Sequence, residues 1–191
     1  MAIANPGGAS RRLGGRRGVA ALEFGLLAPV LMMVLAGIVD IGNATVAKIA
    51  LNGVVNSSAS YALVRYDQVN STSGATLASD LGKIAANGRK TAWADAVITV
   101  NNGPKSTVTN GVAAPSGTAA SADSCYCPTG AATGTVTWGT ATTCGNACPS
   151  GGGKAGKFVL ISASHTYTPI FSGYSFVPNG KLTVAALVQV Q

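Results

Sequence analysis

GVAALEFGLLAPVLMMVLAGIVDIG, residues 18–42, is an almost wholly apolar run with one carboxylate near its start, Glu23, and one near its end, Asp40. A bilayer's hydrocarbon core is about 30 Å thick and a helix rises about 1.5 Å per residue, so Val19 to Val39, roughly 31 Å of helix, is long enough to span it. Arg11, Arg12, Arg16 and Arg17 stand before the run. Basic residues beside a span stay on the cytoplasmic side, so the bulk of the chain is expected to face outward.

Working back from the run, residues 1–18 are polar, basic and rich in small residues, and read as a leader. A secretory signal peptide also begins with basic residues, but its apolar core runs only about 7 to 15 residues to a small-residue cleavage site. Here the core is longer, is opened by Glu23 and contains Pro29. Pro29 removes a backbone donor and crowds the carbonyl of Gly25, so it is either a required kink or one of the incidental prolines of membrane helices. A charge in a span costs roughly 3 kcal/mol at the centre and less near an end, which calls for a partner for Glu23. Two readings stand. Glu23 is solvated at the cytoplasmic interface, or a cut after Gly18 leaves an α-amine on Val19, four residues away on the same helix face, that pairs with Glu23 of this or a neighbouring subunit.

Working forward, Val46, Ile49, Ala50, Leu51, Val54, Val55, Ala59, Ala62 and Leu63 recur at helical spacing, which predicts one long helix from about Val19 to Tyr66. Its second half is amphipathic and should pack on a soluble domain. Residues 75–88 read as a second helix closed by Gly88. Ala96 to Asn101, Ser106 to Val112, Gly134 to Trp138, Lys157 to Tyr167 and Lys181 to Gln189 are rich in Val, Ile and Thr between Gly, Pro and Asn, which is strand text. The expected fold is α+β: a long N-terminal helix, membrane-spanning in its first half, packed on a small, mostly antiparallel sheet with a disulfide-stapled loop. The expected organisation is a leader at 1–18, a transmembrane helix at 19–42 and one extracytoplasmic domain at 43–191.

The net charge of +7 suggests nucleic acid until it is divided along the chain. The four leader arginines are explained by topology, and the nine Lys and Arg after residue 42 are scattered among Asp67, Asp80, Asp95 and Asp123 with no basic stripe. Nucleic-acid binding is excluded on that pattern.

Cys125, Cys127, Cys144 and Cys148 lie in the outward part, where an oxidising compartment favours pairing. The spacing C-x-C, then C-x3-C, fits a zinc ribbon poorly, since its knuckles want two-residue spacings. Two structural disulfides from the first pair to the second are preferred over a strained Cys125–Cys127 ring, each closing a loop of about 20 residues worth on the order of 3 kcal/mol. An extracytoplasmic thiol or metal protein using these four residues is the alternative. Gly151, Gly156 and Lys157 satisfy G-x-x-x-x-G-K, but Phe158 stands where a nucleotide loop needs Ser or Thr and strand text follows, so no nucleotide site is read. One histidine, His165, and no glutamate beyond Glu23 leave no acid/base or nucleophilic constellation, and His165 is read as structural. No enzyme activity, cofactor or metal is expected.

The order RRGVAALEFGLLAPVL followed by GIVDIG resembles the TadE-like pseudopilins of the tight-adherence (Tad, Flp-type) pilus systems, whose N-termini are similar to type IV prepilins. The resemblance covers about residues 14 to 45. It implies a processing site at Gly18 and Val19 cut by prepilin peptidase, an assembly role for Glu23 at the fifth mature position, and Asp40 at the outer membrane border. Asn43 departs from the basic residue the pattern leads one to expect after D-x-G. The implied function is a minor, structural pseudopilin of a bacterial inner membrane. Its implied partners are the prepilin peptidase, other pseudopilins and pilin, the platform proteins, the assembly ATPase and membrane lipid. The rival is a single-pass adhesin or binding protein that uses its Gly/Thr-rich loop for surface adhesion.

Overall fold

The computed structural model describes residues 16–130, 135–149, 151–170 and 177–191. The leader reading rests mostly on residues 1–15, outside that set. The chain divides after Asp40 into two compact units, Met1–Asp40 and Ile41–Gln191.

In the first unit the described residues form the start of helix α1 (Arg16–Val64), the long helix expected from about Val19 to Tyr66. Leu22, Phe24, Leu26, Leu27, Met32 and Met33 are each 66% exposed or more. Apolar side chains so bare on a helix this apolar need lipid or other helices around them. The helix passes the length and hydropathy test for a membrane span, with 6% of its most apolar window buried.

The second unit has the expected α+β architecture. It holds the end of α1, helix α2 (Gly74–Asn87) and five strands: β1 (Asp95–Val100), β2 (Lys105–Thr109), β3 (Val112–Ser116), β4 (Phe158–Thr166) and β5 (Lys181–Gln189). They form one sheet in the order β3-β2-β1-β4-β5, antiparallel at every pairing. Period-two alternation sets its inner face. Ala96, Ile98 and Val100 of β1 stand opposite Ala163, Ile161 and Val159 of β4, and all six are buried. Against that face pack Leu51, Val54, Val55 and Ala62 of α1 with Leu77, Leu81 and Ala85 of α2. Fully burying a Leu or Val side chain stabilises by roughly 1.5–3 kcal/mol, so this cluster is the main source of stability.

The two helices are joined by more than apolar contact. The hydroxyl of Ser58 lies 3.0 Å from the carbonyl of Val54 and 3.3 Å from that of Leu81, so it links α1 to α2. Gly88 ends α2 with φ −61°, an ordinary helical value. Glycine is needed there for another reason: a Cβ would overlap the side chain of Val54.

Two strand expectations need correction. Ser106 to Val112 is not one strand but parts of two, β2 and β3, joined by Asn110 (φ 51°) and Gly111 (φ 78°). Positive φ at both central residues of a two-residue loop is a type I′ hairpin, the turn that Asn-Gly favours. Of Gly134 to Trp138, the described residues 135–138 carry no strand; Thr137 makes an isolated bridge to Thr129. Tyr66 lies in a short 3-10 turn, Tyr66–Gln68, beyond the end of α1.

One residue joins the sheet to the stapled loop. Asn101 is fully buried with φ 49°. Its amide nitrogen donates to the carbonyls of Ala122 and Ser124, and its oxygen accepts from the N–H of Phe158 at 3.2 Å. On the neighbouring strand the buried hydroxyl of Ser106 has no hydrogen-bond partner among the described residues.

Candidate functional site

The residues picked out from the sequence fall into two places, the start of α1 and the stapled loop. Gly18 and Val19 lie in the first turn of α1, exposed, with no acidic residue in that turn. The first four N–H groups of a helix have no partner within it, so this turn carries partial positive charge. Glu23 follows one turn on from Val19 and is exposed. It is the only ionisable residue between Val19 and Val39. A Cβ on Gly18, Gly25 or Gly37 would meet nothing beyond the helix itself among the described residues, so no packing among them requires glycine there. Pro29 lies inside the helix, which is continuous through it. Asp40 is 4% exposed and has an interaction partner.

In the stapled loop Cys125 is bonded to Cys144 and Cys127 to Cys148, with Cα–Cα distances of 5.1 and 5.6 Å. Both bonds run from the first cysteine pair to the second, and among the described residues no cysteine is free. The bonds hold a groove of about 330 Å³ lined by Thr129, Thr140, Thr142 and Asn146. Tyr126 is the loop's apolar anchor. It is 5% exposed, meets Trp138 edge-on at 6.1 Å, and donates its hydroxyl to the Ser121 carbonyl at 3.1 Å.

The residues considered for chemistry have structural surroundings. His165 stacks on Trp93 with ring centroids 4.5 Å apart, and its Nδ1 lies 2.6 Å from the Trp93 carbonyl, an acceptor, so Nδ1 carries the proton. Arg89 lies over the same indole at 5.8 Å. Lys157, the lysine of the apparent nucleotide motif, donates to the Val69 carbonyl at 2.9 Å. Asp123 accepts from Ser71, whose side chain and backbone N–H (2.8 Å) hold its carboxyl below the usual range, with a smaller contribution from Lys157. No group of three or more His, Cys, Asp or Glu suited to a metal occurs among the described residues.

Asn101 was not singled out from the sequence. The signal was there in Asn101-Asn102-Gly103-Pro104, since Asn is the residue beside Gly that best tolerates a left-handed backbone at the end of a strand.

No curated protein and no solved structure matches the chain. Residues 18–60 match the TadE-like protein family. The match begins at Gly18, runs through the apolar helix, and ends among the residues of α1 that enter the core, Leu51 to Ser58. Over residues 18–60 the chain is thus similar to TadE-like proteins, a likeness that supports a general connection with the Tad pilus.

Proposed function

We propose that the chain is a minor pseudopilin of a Tad/Flp-type pilus machine. It is made as a precursor, cut by prepilin peptidase between Gly18 and Val19, and held in the inner membrane by residues 19–42 with its disulfide-bonded domain outside. The observation that carries this reading is Glu23: the one carboxylate between Val19 and Val39, on the apolar and mostly exposed first part of α1, one turn from the residue that becomes the N-terminus.

The physical argument runs through charge. Cutting after Gly18 creates an ammonium on Val19, and an ammonium and a carboxylate near the lipid boundary attract far more strongly than in water. Within one subunit the two groups lie an i, i+4 step apart. Between subunits, the ammonium of an incoming helix can meet Glu23 of its neighbour while the bare apolar faces pack together. The pair sets the axial register, because only one stagger neutralises both charges. Pro29 bends the helix within this packing, and Asp40 marks the outer end of the span. Prepilin peptidase acts on the first turn; other pseudopilins and pilin meet the helix; the platform proteins and assembly ATPase act on the assembled complex. The outer domain contributes shape and stability to the subunit and no catalysis.

Intact-mass measurement of membrane-extracted protein from strains with and without the peptidase tests the reading. The expected mature chain starts at Val19 in the first strain and the full precursor persists in the second. A chain starting at Met1 in both strains overturns the processing step.

A further inference from the structure

Beside the first residues of the outer domain lies an open cleft of about 410 Å³. Ile41, Val177 and Leu182 give it an apolar wall, and Lys48, Lys181 and Thr183 line it as well. Among the described residues that line it there is no carboxylate. Two other hollows among the described residues differ: the threonine-lined groove has no charged residue, and the one beside Trp93 and His165 carries Asp95 as well as Lys90. Thr45 also faces the cleft, but its hydroxyl donates to the Ile41 carbonyl at 2.8 Å, so among the described residues that line it the free donors are the two ammonium groups and Thr183.

The position of Lys48 on α1 selects the ligand. Ile41 follows Val39 by two residues and Lys48 by nine, about 14 Å of helix. Helical side chains lean toward the N-terminus, and a lysine can extend its stem along apolar surface toward a polar layer. The headgroup layer is on the order of 5–8 Å deep on each side of the hydrocarbon core. The Lys48 ammonium therefore reaches down to headgroups. Lysine is a compact point charge that binds phosphate well, and an apolar wall next to two such charges suits a molecule with a phosphate at one end and acyl chains at the other.

We infer that this cleft binds the phosphate of an anionic phospholipid in the outer leaflet. The inference rests on the proposed anchor of residues 19–42, with Val19 to Val39 filling the hydrocarbon core and residues 40–42 at its outer boundary, and on the domain lying outside. A lipid held there fixes the height and rotation of the domain over the bilayer.

The test places the full chain in nanodiscs of phosphatidylcholine alone and of phosphatidylcholine with a known share of phosphatidylglycerol, and identifies the retained lipid by native mass spectrometry. Phosphatidylglycerol is expected on the protein at several times its share of the disc. Lys48→Gln with Lys181→Gln is expected to bring it down to that share. Lys90→Gln with Lys154→Gln, which removes as much charge elsewhere, and Lys48→Arg with Lys181→Arg are expected to keep the enrichment. Equal enrichment in the Lys48→Gln/Lys181→Gln protein overturns the site. Displacement of the lipid by millimolar glycerol phosphate overturns the lipid assignment in favour of a free-anion site. A chain that does not enter the phosphatidylcholine disc overturns the span instead, and that outcome is read without any anionic lipid present.

Discussion

Single residues act here either through charge or through buried hydrogen bonds, and the two kinds give different predictions. Glu23→Gln keeps the side chain's shape and removes its charge. Membrane insertion is expected to be retained or improved, because a neutral amide is cheaper in lipid, while pilus assembly is expected to fall at least tenfold, as scored by surface pili per cell. Unchanged assembly rules out the docking role. Asn101 is the opposite case, fully buried and bonded to three backbone groups from distant parts of the chain. Asn101→Ala leaves two carbonyls and an N–H without that partner and places alanine at positive φ, so a loss of about 3 kcal/mol is expected from urea unfolding in detergent. Asp123 provides the pH dependence. Its folded pKa lies below the unfolded one, so the stability it adds is present above the unfolded pKa and is lost as pH falls through the folded pKa. The stability gap between wild type and Asp123→Asn should therefore be open at neutral pH and should close as pH falls below the usual carboxylate range and through the folded pKa. A gap that persists in acid shows that Asp123 contributes by some means other than its charge.

At the scale of elements, helix ends and turns are set by what lies next to them as well as by backbone preference. Gly88 illustrates this. Its helical φ suits any residue, so backbone preference alone favours Gly88→Ala by up to about 1 kcal/mol. The Cβ would overlap Val54, and overpacking a tight helix contact costs about 1–3 kcal/mol. The expected outcome is net destabilisation in the same urea assay, and partial recovery when Val54→Ala is combined with it. Strands and helices with a long regular pattern were legible from sequence: β5 falls on Lys181–Gln189 as read, β4 is one residue shorter at each end than Lys157 to Tyr167, and α2 is shifted by one residue from 75–88. The β2–β3 hairpin was missed although Asn110-Gly111 announces it, because Val112, Ala113 and Ala114 continue the apolar text past the turn. Residues 135–138 have strand composition, but near Thr137 the loop bridges only to Thr129 in a segment shaped by disulfides. The long apolar helix could be read because its signal is local. Asn101, and the approach of Lys48 to Lys181, depend on contacts between residues far apart in sequence, which no local pattern encodes.

For the whole molecule, chain order decides when each contact becomes possible. The central strand β1 pairs with β4, and Phe158 follows Asn101 by 57 residues. All four cysteines lie in that interval. Under the proposed topology, a domain that crosses the membrane N-terminus first presents its thiols to oxidation before β4 has arrived to close the sheet. Cys144 then meets two thiols, its native partner Cys125 and also Cys127, while Cys148, the native partner of Cys127, is still emerging. Non-native Cys127–Cys144 bonds should form early and be corrected later by thiol–disulfide exchange. Trapping thiols shortly after a metabolic pulse and mapping the linked peptides should reveal this isomer, in greater amount and for longer in cells lacking a disulfide isomerase. Only native bonds at the earliest time point would mean that the loop folds before it oxidises. Under the proposed topology, the late arrival of one strand thus makes the yield of the folded chain a matter of redox timing during export.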